Sequence, residues 1–325
     1  MTLLSVRDLT VEYHTDSGKF RAVEGLNFEL EQCKTLGLVG ESGCGKTTAM
    51  MALMRLLPEV GRIVSGSVTL ENIDLLRIPV SEMRKIRWND LSMVFQGAMN
   101  ALNPVRTVGS QIREALQLHN TVSRDQIDKE IIRLLDIVGV SASFKERYPH
   151  QFSGGMRQRA MIAMALACKP KVLITDEPTT ALDVMVQAQI MDLLQDLKSE
   201  FDLGIIIVTH DLGVVAEYCD EVLVMYGGRM VEYGSADQIF NHSVHPYTQR
   251  LMLAFPDINN PDEELSSIPG HPPPLDDLPP GCRFEPRCGV SVSRCSRETP
   301  GIYTVAPGHI CSCLLATSQG SPADE

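Results

Sequence analysis

The sequence predicts an α/β protein centred on a parallel sheet, with an antiparallel β layer ahead of it and a helical stretch inserted. Three observations carry that prediction. Val172-Leu-Ile-Thr175 and Ile205-Ile-Ile-Val208 are apolar without alternation, as strands buried on both faces are, and they flank a segment of helical spacing from Val184 to Lys198. The run Leu4, Val6, Leu9, Val11, Tyr13 steps between apolar and polar residues, as a strand with one wet face does. From Ser81 to Ala167 the pattern is mostly helical, with apolar residues three or four apart in pieces such as Gln111 to Leu118 and Gln126 to Val138.

Taken in order, the elements follow from the same physics. Ala22 to Leu30 and Gly66 to Leu75 supply two further half-buried strands, and Leu36 to Val39 a short buried one. A Gly-rich loop comes next, then a helix expected over Thr47 to Leu57 with Pro58 ending it. Gln111 to Leu118 and Gln126 to Val138 read as amphipathic helices, and Glu221 to Tyr233 as a hairpin turning at Gly227-Gly228. After Phe240 most of the prolines accumulate, including Pro272-Pro-Pro274, so long helices are not expected and that segment needs another source of order. Thr317 to Glu325 is expected to fray.

Composition narrows the function classes. The 325 residues are 44% hydrophobic and 22% charged, ordinary for a globular chain. No apolar run approaches the ~18–20 residues that span a bilayer, and the first residues meet acidic side chains too early for a secretory signal, so a cytosolic protein is expected. A net charge of −12 disfavours broad binding to nucleic acid, and no nucleic-acid partner is expected. Cys282, Cys288, Cys295, Cys311 and Cys313 crowd the last part of the chain, which in a cytosolic protein points to metal before disulfides.

Two short stretches carry the chemistry. Gly40-Glu-Ser42-Gly43-Cys44-Gly45-Lys46-Thr47 fits the phosphate-loop pattern in full and stands between a strand and a helix, with Thr48 next on that helix. Its glycines let backbone amides approach phosphate oxygens, while Lys46 would pair with the β- and γ-phosphates and the Thr47 hydroxyl would ligate Mg²⁺. Cys44 is a tolerated filler position. Asp176-Glu177 ends a buried strand, where open α/β sheets bind ligands. Asp176 is expected to hold Mg²⁺, and Glu177 to polarise the attacking water. His210 follows the neighbouring apolar strand and can hydrogen-bond a γ-phosphate. Ser153-Gly154-Gly155, ahead of a helix, offers a second anion-binding terminus.

With that segment the sequence resembles the ABC ATPases. The Walker A loop, the Ser-Gly-Gly signature, the Walker B Asp-Glu pair and the switch His210 occur in family order, as do Gln96 of the Q-loop and the Ala181-Leu-Asp183 D-loop. Tyr13 matches the family's aromatic residue that stacks on adenine. Phe152 and Met156 depart mildly from the usual Leu and Gln. The resemblance covers residues 1–240 and implies a RecA-like parallel core, an N-terminal antiparallel β subdomain, a helical subdomain at about 97–160 and, over 241–325, a Cys/Pro-rich extension. It also implies ATP and Mg²⁺ as cofactors, Gln96 as a further metal contact, and a head-to-tail dimer in which Ser153, Gly154 and Gly155 act on the partner's nucleotide.

Tyr148-Pro-His-Gln-Phe152, Leu102-Asn-Pro104 and His245-Pro-Tyr-Thr248 are similar to the oligopeptide/dipeptide importers. That likeness implies a paralogous ATPase partner, two transmembrane permease subunits, an extracytoplasmic solute-binding protein and a place on the cytoplasmic face of the membrane. The spacing of Cys282, Cys288, Cys295 and Cys313 resembles the same importers' C-terminal motif, which in some members holds a 4Fe–4S cluster; Cys311 is an alternative to Cys313, and zinc or no metal are alternatives to iron. A soluble ABC ATPase uncoupled from transport is the competing function.

Overall fold

The computed structural model describes residues 1–16, 18–95, 97, 101–254 and 268–316. The chain divides into two compact units, one of Met1–Leu4, Leu30–Thr35 and Leu70–Val208, the other of Ser5–Glu29, Leu36–Thr69 and Thr209–Glu325.

In the first unit β6 (Leu91–Val94), β7 (Val172–Asp176) and β8 (Gly204–Val208) run parallel, with Val94 opposite Thr175 and Asp176 opposite Val208. Every residue of all three strands is buried, which is why β7 and β8 read as unbroken apolar runs. Before β6 come the two-residue β5 (Ile73–Asp74) and α2 (Val80–Ile86). Between β6 and β7, α3 (Val108–Leu118), α4 (Ile127–Ile137) and α5 (Gly154–Ala165) pack on one another. On α4 the buried residues Ile127, Ile131, Leu134 and Leu135 fall at i, i+4, i+7 and i+8, one stripe facing its neighbours. Side-chain caps start the helices: Thr107 accepts from the Ser110 amide for α3, and Asp183 from the Val186 amide for α6 (Val184–Phe201).

The second unit holds most of β1 (Thr2–Thr15), β2 (Gly18–Glu31) and β4 (Gly61–Leu70), side by side in the order β2-β1-β4. Along β1 the inward residues change from Leu4 and Val6 to Leu9 and Val11, because Asp8 (φ 48°) inserts one residue into the alternation. A second sheet in this unit has the order β3 (Thr35–Val39), β9 (Glu221–Tyr226), β10 (Arg229–Ser235), β12 (His309–Cys311), β11 (Tyr303–Ala306). Within it β3 lies parallel to β9, and β9 turns antiparallel into β10 at Gly227-Gly228. After β3 comes α1 (Lys46–Leu53); later in the chain come α7 (Leu212–Tyr218), α8 (Ala236–Asn241) and α9 (Pro246–Leu253).

Three expectations shift. The third β run is divided, β4 ending at Leu70 before the short β5. Helix α1 stops at Leu53, four residues before the expected end, and Pro58 does not terminate it. Arg55 adopts φ 51°, and the Leu56 amide reaches back to the Met51 carbonyl at 2.8 Å, a Schellman closure that propensity does not reveal. Strand β6 also falls inside the stretch that reads as mostly helical, its four residues too short for a period to register.

The proline-rich end gains order from strands and aromatic packing. β11 (Tyr303–Ala306) and β12 (His309–Cys311) join the sheet edge, with Glu232 of β10 opposite Cys311. Tyr226, Tyr247 and Phe284 meet with ring centroids 4.6, 5.2 and 5.3 Å apart. The fully buried Glu232 carboxylate accepts from the Val244 and His245 amides at 2.7 and 3.0 Å and pairs with His309 Nε2 at 2.8 Å. These bonds satisfy a charge that would otherwise be costly to bury. Across the same unit, Glu24 meets Arg21, Arg229 and Arg283; burial works against its charge, but the arginine hydrogen bonds prevail and hold its carboxyl at about 2.

Candidate functional site

The second unit carries the phosphate loop. Gly40 and Gly45 take φ 147° and 101°, and a Cβ there would stand 2.2 Å from the Met225 carbonyl oxygen and 2.4 Å from that of Ala22. Only glycine fits, because the loop is wedged against β9 and β2. Gly45 is the N-cap of α1, so the helix amides open onto the loop. Lys46 is buried, its Nζ donating to the Gly40 and Glu41 carbonyls at 2.6 and 3.0 Å, which folds the ammonium over the loop. Ser42, Gly43 and Thr47 are exposed and Thr48 half-buried, placing the hydroxyls at the accessible rim. Cys44 is buried in the loop's base, its carbonyl accepting from the Gly228 amide at 2.9 Å, and burial pushes its thiol pKa up. That position is packing.

Two more predicted residues lie in this unit. The Tyr13 hydroxyl lies 3.2 Å from Thr48 Oγ1, at the first turn of α1, with Phe20 against its ring at 5.6 Å. His210 is exposed just after Thr209, whose amide donates to the Leu38 carbonyl at 3.2 Å, two residues before Gly40. Asp211 caps α7 through the Gly213 and Val214 amides and fixes the turn after His210.

The first unit holds the carboxylates and the signature. Asp176 closes β7 and is buried; Glu177 follows with φ 48°, its amide donating to the Val208 carbonyl at 2.8 Å and its Oε2 accepting from Thr180 Oγ1 at 2.9 Å. This left-handed residue turns the chain sharply and leaves the Glu177 side chain half-exposed at the strand end. Ser153 caps α5 and is exposed. Cβ atoms on Gly154 and Gly155 would meet Leu182 at 3.2 Å and Val186 at 2.7 Å, so the signature glycines admit the Ala181-Leu182-Asp183 turn close against α5. Gln96 lies outside the described residues, as does Thr317–Glu325.

The cysteine set does not form the expected cage. Among the described residues no three His, Cys, Asp or Glu side chains gather as a group that could hold a metal ion, and Cys282, Cys288, Cys295, Cys311 and Cys313 are free thiols. Burial pushes the Cys282 thiol up to about 11 and raises those of Cys288, Cys311 and Cys313 as well. Burial thus keeps the Cys282, Cys288, Cys311 and Cys313 thiols protonated at neutral pH. Cys295 is buried, and its carbonyl accepts from the Cys282 amide at 2.7 Å.

Sequence reasoning missed what holds the loop from behind. Glu41, an unassigned position of the phosphate loop, forms a bidentate pair with the buried Arg287 at 2.6 and 3.0 Å, and its amide donates to the Tyr247 hydroxyl at 3.0 Å. Burial raises the Tyr247 pKa, keeping that hydroxyl neutral. The available signal was a carboxylate in a loop meant for an anion, which calls for a cation elsewhere in the chain.

A glycine-wedged loop at a helix N-terminus, carrying a lysine folded over its own carbonyls, binds polyphosphate; the protein is a P-loop ATPase. Comparison with known proteins refines the class. Residues 23–180 match the ABC transporter family, and residues 231–295 match the oligopeptide/dipeptide transporter C-terminal region. The chain is 49% identical to the oligopeptide transport ATP-binding protein OppD of Haemophilus influenzae, over 98% of both chains. With the dipeptide transport ATP-binding protein DppD of Bacillus subtilis it shares 44% identity over 99% of this chain and 97% of that one. Among solved structures, the dimeric ATP-binding cassette MJ0796 with ADP and phosphate aligns with a TM-score of 0.65 at 26% identity, over 72% of this chain and 98% of that one. The chain belongs to the ABC transporter family, among the ATP-hydrolysing subunits with the oligopeptide/dipeptide type of C-terminal region.

Proposed function

We propose that the chain powers an importer of oligopeptides, dipeptides or related small solutes, closing a head-to-tail dimer on ATP and reopening it after hydrolysis. Near full-length identity with peptide-transport ATP-binding proteins carries this reading. In it Lys46 and the amides of residues 42–48 bind the polyphosphate, Tyr13 stacks on the base, Glu177 polarises the attacking water and His210 hydrogen-bonds the γ-phosphate. Thr47, Asp176 and Gln96 are oxygen donors that suit a hard cation, and Mg²⁺ held there would neutralise charge on the β- and γ-phosphates. Ser153, Gly154 and Gly155 serve the partner's nucleotide, and a trans contribution of this kind is worth about 10³–10⁵ in rate.

Among the described residues no helix is long and apolar enough to cross a membrane, so the proposed attachment is peripheral, at the cytoplasmic face, through two permease subunits. A paralogous ATPase and an external solute-binding protein complete the assembly. A cassette uncoupled from transport would have no use for the transporter-type C-terminal region. Tagged protein extracted in mild detergent from its own cells should co-elute with two polytopic membrane proteins and a second ATPase. Elution with ribosomes or DNA instead, and without membrane proteins, would reject the transport reading.

The 1–240 ATPase and 241–325 extension division belongs to the same proposal. So does a 4Fe–4S cluster on Cys282, Cys288, Cys295 and Cys313, supported by their soft donor chemistry. Cluster binding would draw the four sulfurs together, and the cluster would serve as a structural cross-link. Anaerobically purified protein should contain iron and acid-labile sulfide in equal amounts, about four of each per chain. Zinc with no sulfide would overturn the iron assignment.

A further inference from the structure

A carboxylate inside a phosphate loop opposes the anion the loop exists to bind. Every polar group of Glu41 is engaged: its carbonyl accepts from Lys46 Nζ, its amide donates to the Tyr247 hydroxyl, and both carboxylate oxygens accept from Arg287. The guanidinium has only 5% of its side chain exposed and is fixed from behind, Nε donating to the Pro269 carbonyl at 2.8 Å and Nη1 to the Tyr226 hydroxyl at 3.2 Å. It lies over the Tyr226 ring, 5.7 Å from the centroid. A planar cation held on four sides suits neutralising one carboxylate and keeping it in one orientation. Arg287 lies 246 residues after Glu41 in the chain, so the far C-terminal segment reaches the phosphate loop directly.

We propose that Arg287 is a positioning residue for nucleotide binding: it neutralises Glu41 and holds that carboxylate back, so that the loop presents net positive potential to the polyphosphate. The inference rests on the reading of the loop as the ATP site. Its signature is that the cost of losing Arg287 comes from the charge left on Glu41. Removing that charge must therefore restore binding, whereas a purely mechanical latch would stay broken.

MgATP binding to the full chain is measured by equilibrium titration, together with the thermal midpoint without nucleotide. Arg287→Met should weaken binding about tenfold, the effect of one unscreened like charge near the ligand. Adding Glu41→Gln to that variant should bring affinity back to within about threefold of the parent. Glu41→Gln alone should bind at least as tightly as the parent. It also tests the proposal if Arg287→Met does not fold, since a tenfold loss in that single variant overturns the idea. So does an Arg287→Met protein that binds normally, or a double variant as weak as Arg287→Met. Lys46→Ala separates the role of the loop from that of Arg287. If it binds MgATP like the parent, the ATP site itself is misassigned; if it loses binding while Arg287→Met keeps it, only the role of Arg287 falls.

Discussion

Lys46→Ala is expected to weaken MgATP binding by about a hundredfold or more and to remove measurable hydrolysis. Its ammonium is folded over the loop by two carbonyls, 2.6 and 3.0 Å away. A buried, charge-assisted contact of this kind contributes about 3 kcal/mol, and that converts to roughly two decades of affinity. Alanine also leaves the Gly40 and Glu41 carbonyls without their donor, which turns two acceptors toward an anion. The helix amides after Gly45 persist in the variant, so weak residual binding of phosphate is compatible with the assignment. Isothermal titration with MgATP, alongside a colorimetric phosphate assay, measures both quantities. Unchanged affinity and turnover would remove the loop from its assigned role.

Much of this was legible because strong local rules agree with the tertiary fold. The unbroken apolar runs of β7 and β8 read as doubly covered strands, and each strand is buried throughout. The phosphate loop was legible residue by residue, since glycine is forced at Gly40 and Gly45 by carbonyls that approach within 2.4 Å of a would-be Cβ. What escaped was set by distant partners. Strand β6 has only four residues and is defined by its pairing with β7. The end of α1 depends on Arg55 adopting a left-handed backbone, which no propensity favours. Tyr247 stood out only as part of a subfamily pattern, and nothing in Glu41 or Arg287 alone announces a pair 246 residues apart. The cysteine spacing suggested a cage, whereas order in that segment comes from β11, β12, the aromatic trio and the buried Glu232.

Glu177→Gln separates chemistry from binding in the opposite way to Lys46→Ala. The left-handed backbone at Glu177 and its amide bond to the Val208 carbonyl do not depend on the side-chain charge, so the turn should be retained. The Thr180 hydroxyl donates to Oε2 at 2.9 Å, and an amide oxygen can accept the same bond. The variant therefore keeps the shape and loses the ability to accept a proton from water. General-base contributions are worth about 10²–10⁴ in rate, so kcat should fall by roughly a thousandfold with little change in the KM for ATP. With closure intact and hydrolysis blocked, ATP-bound subunits should accumulate as a dimer visible by light scattering, and the parent protein should pass through that state without accumulating. Hydrolysis at the parent rate would show that another group activates the water. A fall in ATP affinity matching the fall in rate would mean that Glu177 binds nucleotide and does not act on the attacking water.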